Sequence, residues 1–102
     1  MTPFEWNCDL VGYVRDRATT NAAGVMGAYM LSVGIISSRS RMSGRRDLDF
    51  DLTEFNDQLT ANELQDLVRL RLWQDLGQGR YRLLGLHRWV RIPALAIGKV
   101  RR

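Results

Sequence analysis

Few residues in this chain have the chemistry of a catalyst. There is one histidine, His87, and one cysteine, Cys8. Acid–base or covalent catalysis needs at least two groups placed together, and no spacing in the sequence pairs either residue with a nucleophile, acid or base. A zinc site would need further Cys or His ligands, and neither a glycine-rich phosphate loop nor a dinucleotide fingerprint is present. Asp47, Asp49 and Asp51 begin like a calcium loop. Counted from Asp47, however, the sixth position is Leu52 where such a loop turns on glycine, and the twelfth is Gln58 where it needs a bidentate glutamate. No enzyme activity, cofactor or metal is expected.

The remaining residues with chemistry to offer are arginines. The formal net charge is +4 and the basic residues are fourteen Arg against the single Lys99. Such an excess of Arg also follows from GC-rich coding, so its distribution says more than its total. Arg39, Arg41, Arg45 and Arg46 fall together with no acid among them. Residues 69–102 hold nine basic side chains against Asp75 alone, whereas residues 47–66 hold seven acids and no base. An anion-binding face must therefore come from the 39–46 loop and the C-terminal third.

Positioning these residues requires a scaffold. With 102 residues, 45% hydrophobic and 25% charged, the chain is expected to form one domain around one core. A lone cysteine makes no internal disulfide, and the opening residues lack the basic start and apolar run of a secretory signal. A cytoplasmic location is expected. The uncharged stretch "AAGVMGAYMLSVGII", residues 22–36, would span about 22 Å as a helix. That falls short of the roughly 30 Å hydrocarbon core of a bilayer, so a central helix is expected rather than a membrane span. Thr20 or Asn21 would cap it, and its small residues would let other elements pack on most sides.

"DLDFDL" alternates as a half-buried strand does, with Leu48, Phe50 and Leu52 inward. "LTEFNDQL" reads as a short helical segment that turns Phe55 and Leu59 to the core. "TANELQDLVRL" combines a capping box, Thr60 to Glu63, with Leu64, Leu67 and Val68 at helical spacing. "RLWQDLGQGRYRLL" reads as a hairpin of residues 72–76 and 80–84 about a Gly77-Gln78-Gly79 turn. The order is helix, short strand, two short helices, hairpin, which is that of an α+β winged helix with a helix-turn-helix and a β-hairpin wing. Its core is expected over residues 20–85, with residues 86–102 as a short basic and apolar C-terminal extension.

"GAYMLSVGIISSR" followed by "ELQDLVRLRLWQDLGQGRYRL" resembles the winged-helix domain of small actinobacterial and phage proteins, including the N-terminal domains of phage replisome-organiser proteins. There a helix "G-x-[WY]-x-L-x-L" precedes a helix ending in "L-x-x-x-G-L-W", a wing turn and "G-Y-x-[IL]". Leu67, Leu72, Trp73, Gly79, Tyr81 and Leu83 take those places. The resemblance covers about residues 24–84 and implies a viral or bacterial DNA-binding protein acting in replication or transcription control. Arg71 stands where the pattern has the glycine that ends the third helix in a left-handed turn, so the cap must differ or be strained.

In such a fold the third helix enters the major groove and the wing meets the DNA backbone. Here the third helix carries Glu63 and Asp66, and a carboxylate aimed at phosphate costs about 1 kcal/mol even in high dielectric. Base readout by Asn62, Gln65 and Arg69 is therefore expected to be secondary. Phosphate contacts are expected from Arg39, Arg41, Arg45, Arg46, Arg80, Arg82, Arg88 and Arg91. Asp47, Asp49 and Asp51 on the neighbouring strand would either leave Arg80 and Arg82 free or pair with them. The competing reading is a protein-interaction module that binds and redirects a host factor. It would use the acidic 47–66 surface or the apolar tail, where Trp89, Ile92, Leu95 and Ile97 would also serve a homodimer.

Overall fold

The computed structural model describes residues 5–38, 48–55 and 59–91. Along them run β1 (Glu5–Trp6), α1 (Asp9–Arg17), α2 (Ala22–Ser37), β2 (Asp49–Asp51), a 3₁₀ turn (Leu52–Phe55), α3 (Ala61–Arg69), β3 (Trp73–Gly77), β4 (Arg80–Leu83) and β5 (Val90–Arg91). The class is α+β, with three α-helices and two small antiparallel sheets among the described residues.

Because α2 carries no charge it can bury a full stripe, and Val25, Ala28, Tyr29, Ser32, Val33 and Ile36 form that stripe at helical spacing. Its packing is one-sided, contrary to the expectation from its small residues. Met30 and Leu31 are exposed, and a Cβ at Gly27 or Gly34 would meet nothing. No helix among the described residues is long and apolar enough to cross a membrane.

The larger sheet has the order β2-β4-β3. Phe50 lies opposite Tyr81 and Trp73 opposite Leu83, so one face of the sheet is apolar. On that face Phe50, Phe55, Trp73 and Tyr81 form an aromatic cluster, with Phe50 and Trp73 edge to face at 4.8 Å. The buried Trp73 indole donates to Ser32 Oγ on α2 at 2.9 Å, which satisfies its one polar atom. The opposite face of β4 presents Arg80 and Arg82. Gly77, Gln78 and Gly79 all have positive φ and make the tight turn of the hairpin, two of them without the Cβ that penalises this conformation.

Two elements lie outside the order expected from the sequence. The first is α1, which buries Leu10 and Val14 and is started by Asn7, whose side-chain oxygen accepts from the Asp9 amide at 2.9 Å. The second is the small sheet in which Glu5 lies opposite Arg91 and Trp6 opposite Val90. Leu10, Val14, Trp89 and Val90 thereby join the core, which extends beyond the 20–85 span at both ends. Trp89 is 7% exposed and tilted on Tyr13 at 4.8 Å, so it is a core residue rather than a free interface residue. Ile92, Leu95 and Ile97 lie outside the described residues.

The helix end at Arg71 is also resolved. The amide of Leu72 donates to Leu67 O at 3.0 Å and that of Arg71 to Val68 O at 3.1 Å, the paired bonds of a Schellman cap. Arg71 itself takes the left-handed conformation, φ 62°. The turn is the one that glycine would make, held here by an arginine at a cost of about 1 kcal/mol.

Candidate nucleic-acid interface

The third helix is positioned from its first residue. Thr60 Oγ1 accepts from the Glu63 amide at 3.2 Å, and the Glu63 carboxylate accepts from the Thr60 amide at 3.1 Å, completing the capping box. Gly24 on α2 faces that carboxylate so closely that a Cβ there would collide with it. Glu63 is consequently 7% exposed.

One turn further, Asp66 is 1% exposed. Its two oxygens accept from the Thr19 amide at 2.8 Å, the Thr19 hydroxyl at 2.9 Å, the Thr20 hydroxyl at 3.4 Å and the Arg69 guanidinium at 2.9 Å. Burial pushes this carboxyl up, but Arg69 and the two Thr19 donors outweigh it and hold it below the usual carboxylate range. Both acids assumed to face a duplex therefore point inward. The electrostatic objection to groove entry by this helix does not apply to them.

The outward face of α3 is Asn62, Gln65 and Arg69, spaced three and four apart on one side of the helix. Two carboxamides and a guanidinium on a helix face have the donors and acceptors that read base edges in a major groove. Arg69 is shared, since its Nη2 donates both to Asp66 and to the carbonyl of Arg17 at 2.6 Å. That second bond ties the C-terminal end of α3 to the end of α1.

The wing arginines are not equivalent. Arg82 is engaged by Asp49, with Nε and Nη2 donating to the two carboxylate oxygens at 2.6 and 3.2 Å. Arg80 remains half exposed, with its nearest contact to Asp49 at 4.0 Å. This is the cross-strand pairing that the alternation of "DLDFDL" allowed, and it draws on Asp49. Further along, Arg91 pairs with Glu5 at 3.0 Å in solvent. Arg88 meets no carboxylate among the described residues. Arg39, Arg41, Arg45 and Arg46 lie outside the described residues, as does Asp47.

In one further group of functional candidates only Arg88 was anticipated. Tyr13 on α1 donates its hydroxyl to Leu70 O at 2.9 Å, next to α3. Arg17 lies over the same ring at 4.4 Å, and Arg88 lies 5.6 Å from it and 4.6 Å from the Trp89 ring. A signal was available in "NCDLVGYVRDR", where Asn7 caps a turn with Leu10 and Val14 four apart and Tyr13 and Arg17 four apart.

Among the described residues no group of His, Cys, Asp and Glu is placed to hold a metal ion. Comparison with known protein families, curated proteins and solved structures found no match.

Proposed function

We propose that this chain is a winged-helix module that binds double-stranded DNA, with α3 in the major groove and the β3–β4 hairpin as the wing. The observation that carries this reading is the orientation of α3: Glu63 and Asp66 are buried, and Asn62, Gln65 and Arg69 are left outward. Support for the winged helix comes from the succession α2, β2, 3₁₀ turn, α3, β3, β4 and from the sheet order β2-β4-β3. The sequence resemblance points to replication or transcription control as the setting. Base readout by α3, held secondary on sequence grounds, becomes the leading contribution, with phosphate contacts from Arg80 and Arg88.

The acidic surface open to the protein-interaction alternative is narrower than the sequence suggested. Of the acids in residues 47–66, Asp49, Glu63 and Asp66 are buried against partners of this chain. The test of the DNA reading is selection of binding sites from a randomised duplex pool. Wild-type protein should enrich a short motif, and the Asn62→Ala/Gln65→Ala variant should bind with its sequence preference lost. A pool that stays unenriched with wild-type protein would remove base readout by α3.

A further inference from the structure

Among the described residues the arginines around Tyr13 have no partner of opposite charge. Arg17 donates one N–H to the Tyr13 carbonyl at 3.4 Å, and neither Arg17 nor Arg88 meets a carboxylate among the described residues. Each guanidinium carries five N–H donors, so most of them remain available. Tyr13 is fixed at both ends, by its hydroxyl bond to Leu70 O and by its ring contact with Trp89. Both guanidiniums are held against this aromatic platform, at 4.4 and 5.6 Å from the Tyr13 ring centre, one from the last turn of α1 and one from the turn before β5. Energetically significant cation–π contacts occur about once per 70–80 residues. Three converge here on two adjacent rings.

Stacking on an aromatic ring orders an arginine in advance, which lowers the entropy cost of engaging a ligand. Two cations held near one ring with no acid among the described residues leave a positive site that an anion can neutralise. Phosphate suits the arrangement because its oxygens accept paired N–H donors from planar forks. The location suits it as well. Arg69 at the last residue of α3 donates to Arg17 O, and Tyr13 donates to Leu70 O at the cap of α3. A helix C-terminus is the negative end of its dipole and repels phosphate, and the two arginines reverse that sign. The acid next in sequence to Arg17, Asp16, is exposed and lies 3.7 Å from Arg15.

We propose that Arg17 and Arg88 form a clamp for one backbone phosphate of the DNA duplex, at the C-terminal end of α3. The clamp rests on the DNA reading above and adds to it a fixed register for α3 in the groove. It contacts no base and acts equally on every sequence.

The test is fluorescence anisotropy with random-sequence duplex over a range of salt, comparing wild type, Arg17→Ala/Arg88→Ala and Arg17→Lys/Arg88→Lys. Loss of one phosphate contact should lower the slope of log affinity against log salt by about one in the alanine pair. Affinity should fall about tenfold, by the same factor on different sequences. The lysine pair, which keeps charge and loses the planar fork, should recover the slope and part of the affinity. Wild-type affinity and slope in the alanine pair would overturn the clamp and leave the DNA reading standing. Absence of wild-type binding at low salt would overturn both. Should the alanine pair fail to fold by circular dichroism, undiminished affinity in the lysine pair overturns the clamp.

Discussion

Arg82 and Arg88 are close in sequence and identical in chemistry, and the fold gives them opposite surroundings. Arg82 is gripped at both ends of its fork by Asp49 across the sheet. Arg88 lies on the rings of Trp89 and Tyr13 with no acid beside it among the described residues. A count of basic residues treats them alike, yet one is committed to holding two strands in register and the other is open to an anion. The same contrast divides the acids. Asp66 is buried among donors, whereas Asp16 lies in solvent against Arg15. What a charged residue can do for binding is decided by what the fold has already placed beside it.

The comparison can be broken most forcefully at Asp66. Replacing it by Ala strands the Thr19 amide, the Thr19 hydroxyl and Arg69 without their acceptor, and should cost about 2–3 kcal/mol in chemical denaturation. Loss of less than about 1 kcal/mol would mean that the site is wetter than its burial indicates. The same carboxylate should make stability depend on pH. Its pKa is lowered in the folded state, so its contribution is complete above the unfolded value near 4 and is lost as pH falls through the lower folded value. The Asp66→Asn variant should show a shallower acid transition than wild type.

A milder perturbation converts one class of arginine into the other. Asp49→Asn removes the partner of Arg82 and the nearest acid to Arg80. Affinity for random duplex should rise about threefold at low salt and its salt dependence should steepen. Unchanged affinity would mean that the outer face of β4 does not meet the backbone. The smallest effect is expected at Arg71, whose side chain is exposed and whose φ is 62°. Arg71→Gly should raise stability by about 0.5 kcal/mol in thermal denaturation, the relieved left-handed strain less the chain entropy that glycine loses on folding, and leave DNA affinity nearly unchanged.

Local patterns were legible in the sequence because their partners are nearby. Thr60 and Glu63 announced the start of α3, the alternation about Phe50 announced β2, and the two glycines around Gln78 announced the hairpin turn. The capping box folds the Glu63 carboxylate back to the Thr60 amide, but its burial comes from the close approach of Gly24 on α2, which the motif does not announce. Asp66 offered no such sign. Its partners Thr19 and Thr20 come from the link between α1 and α2, and only the assembled fold brings them there. The role of Trp89 was hidden for a similar reason. An aromatic residue in a basic, apolar tail looks like an interface until Asn7 and Trp6 are seen to pair with that tail and close it over Tyr13. The two arginines around Tyr13 come from parts of the chain about seventy residues apart, and charge counted along the sequence does not bring them together.

The most direct measurement is the affinity of the purified protein for random-sequence duplex DNA across a range of salt, by fluorescence anisotropy. An interface of outward amides and unpaired arginines predicts tight binding at low salt that falls steeply and linearly in log affinity against log salt. Absence of binding at low salt would contradict it and would mean that the outward face of α3 serves some other partner.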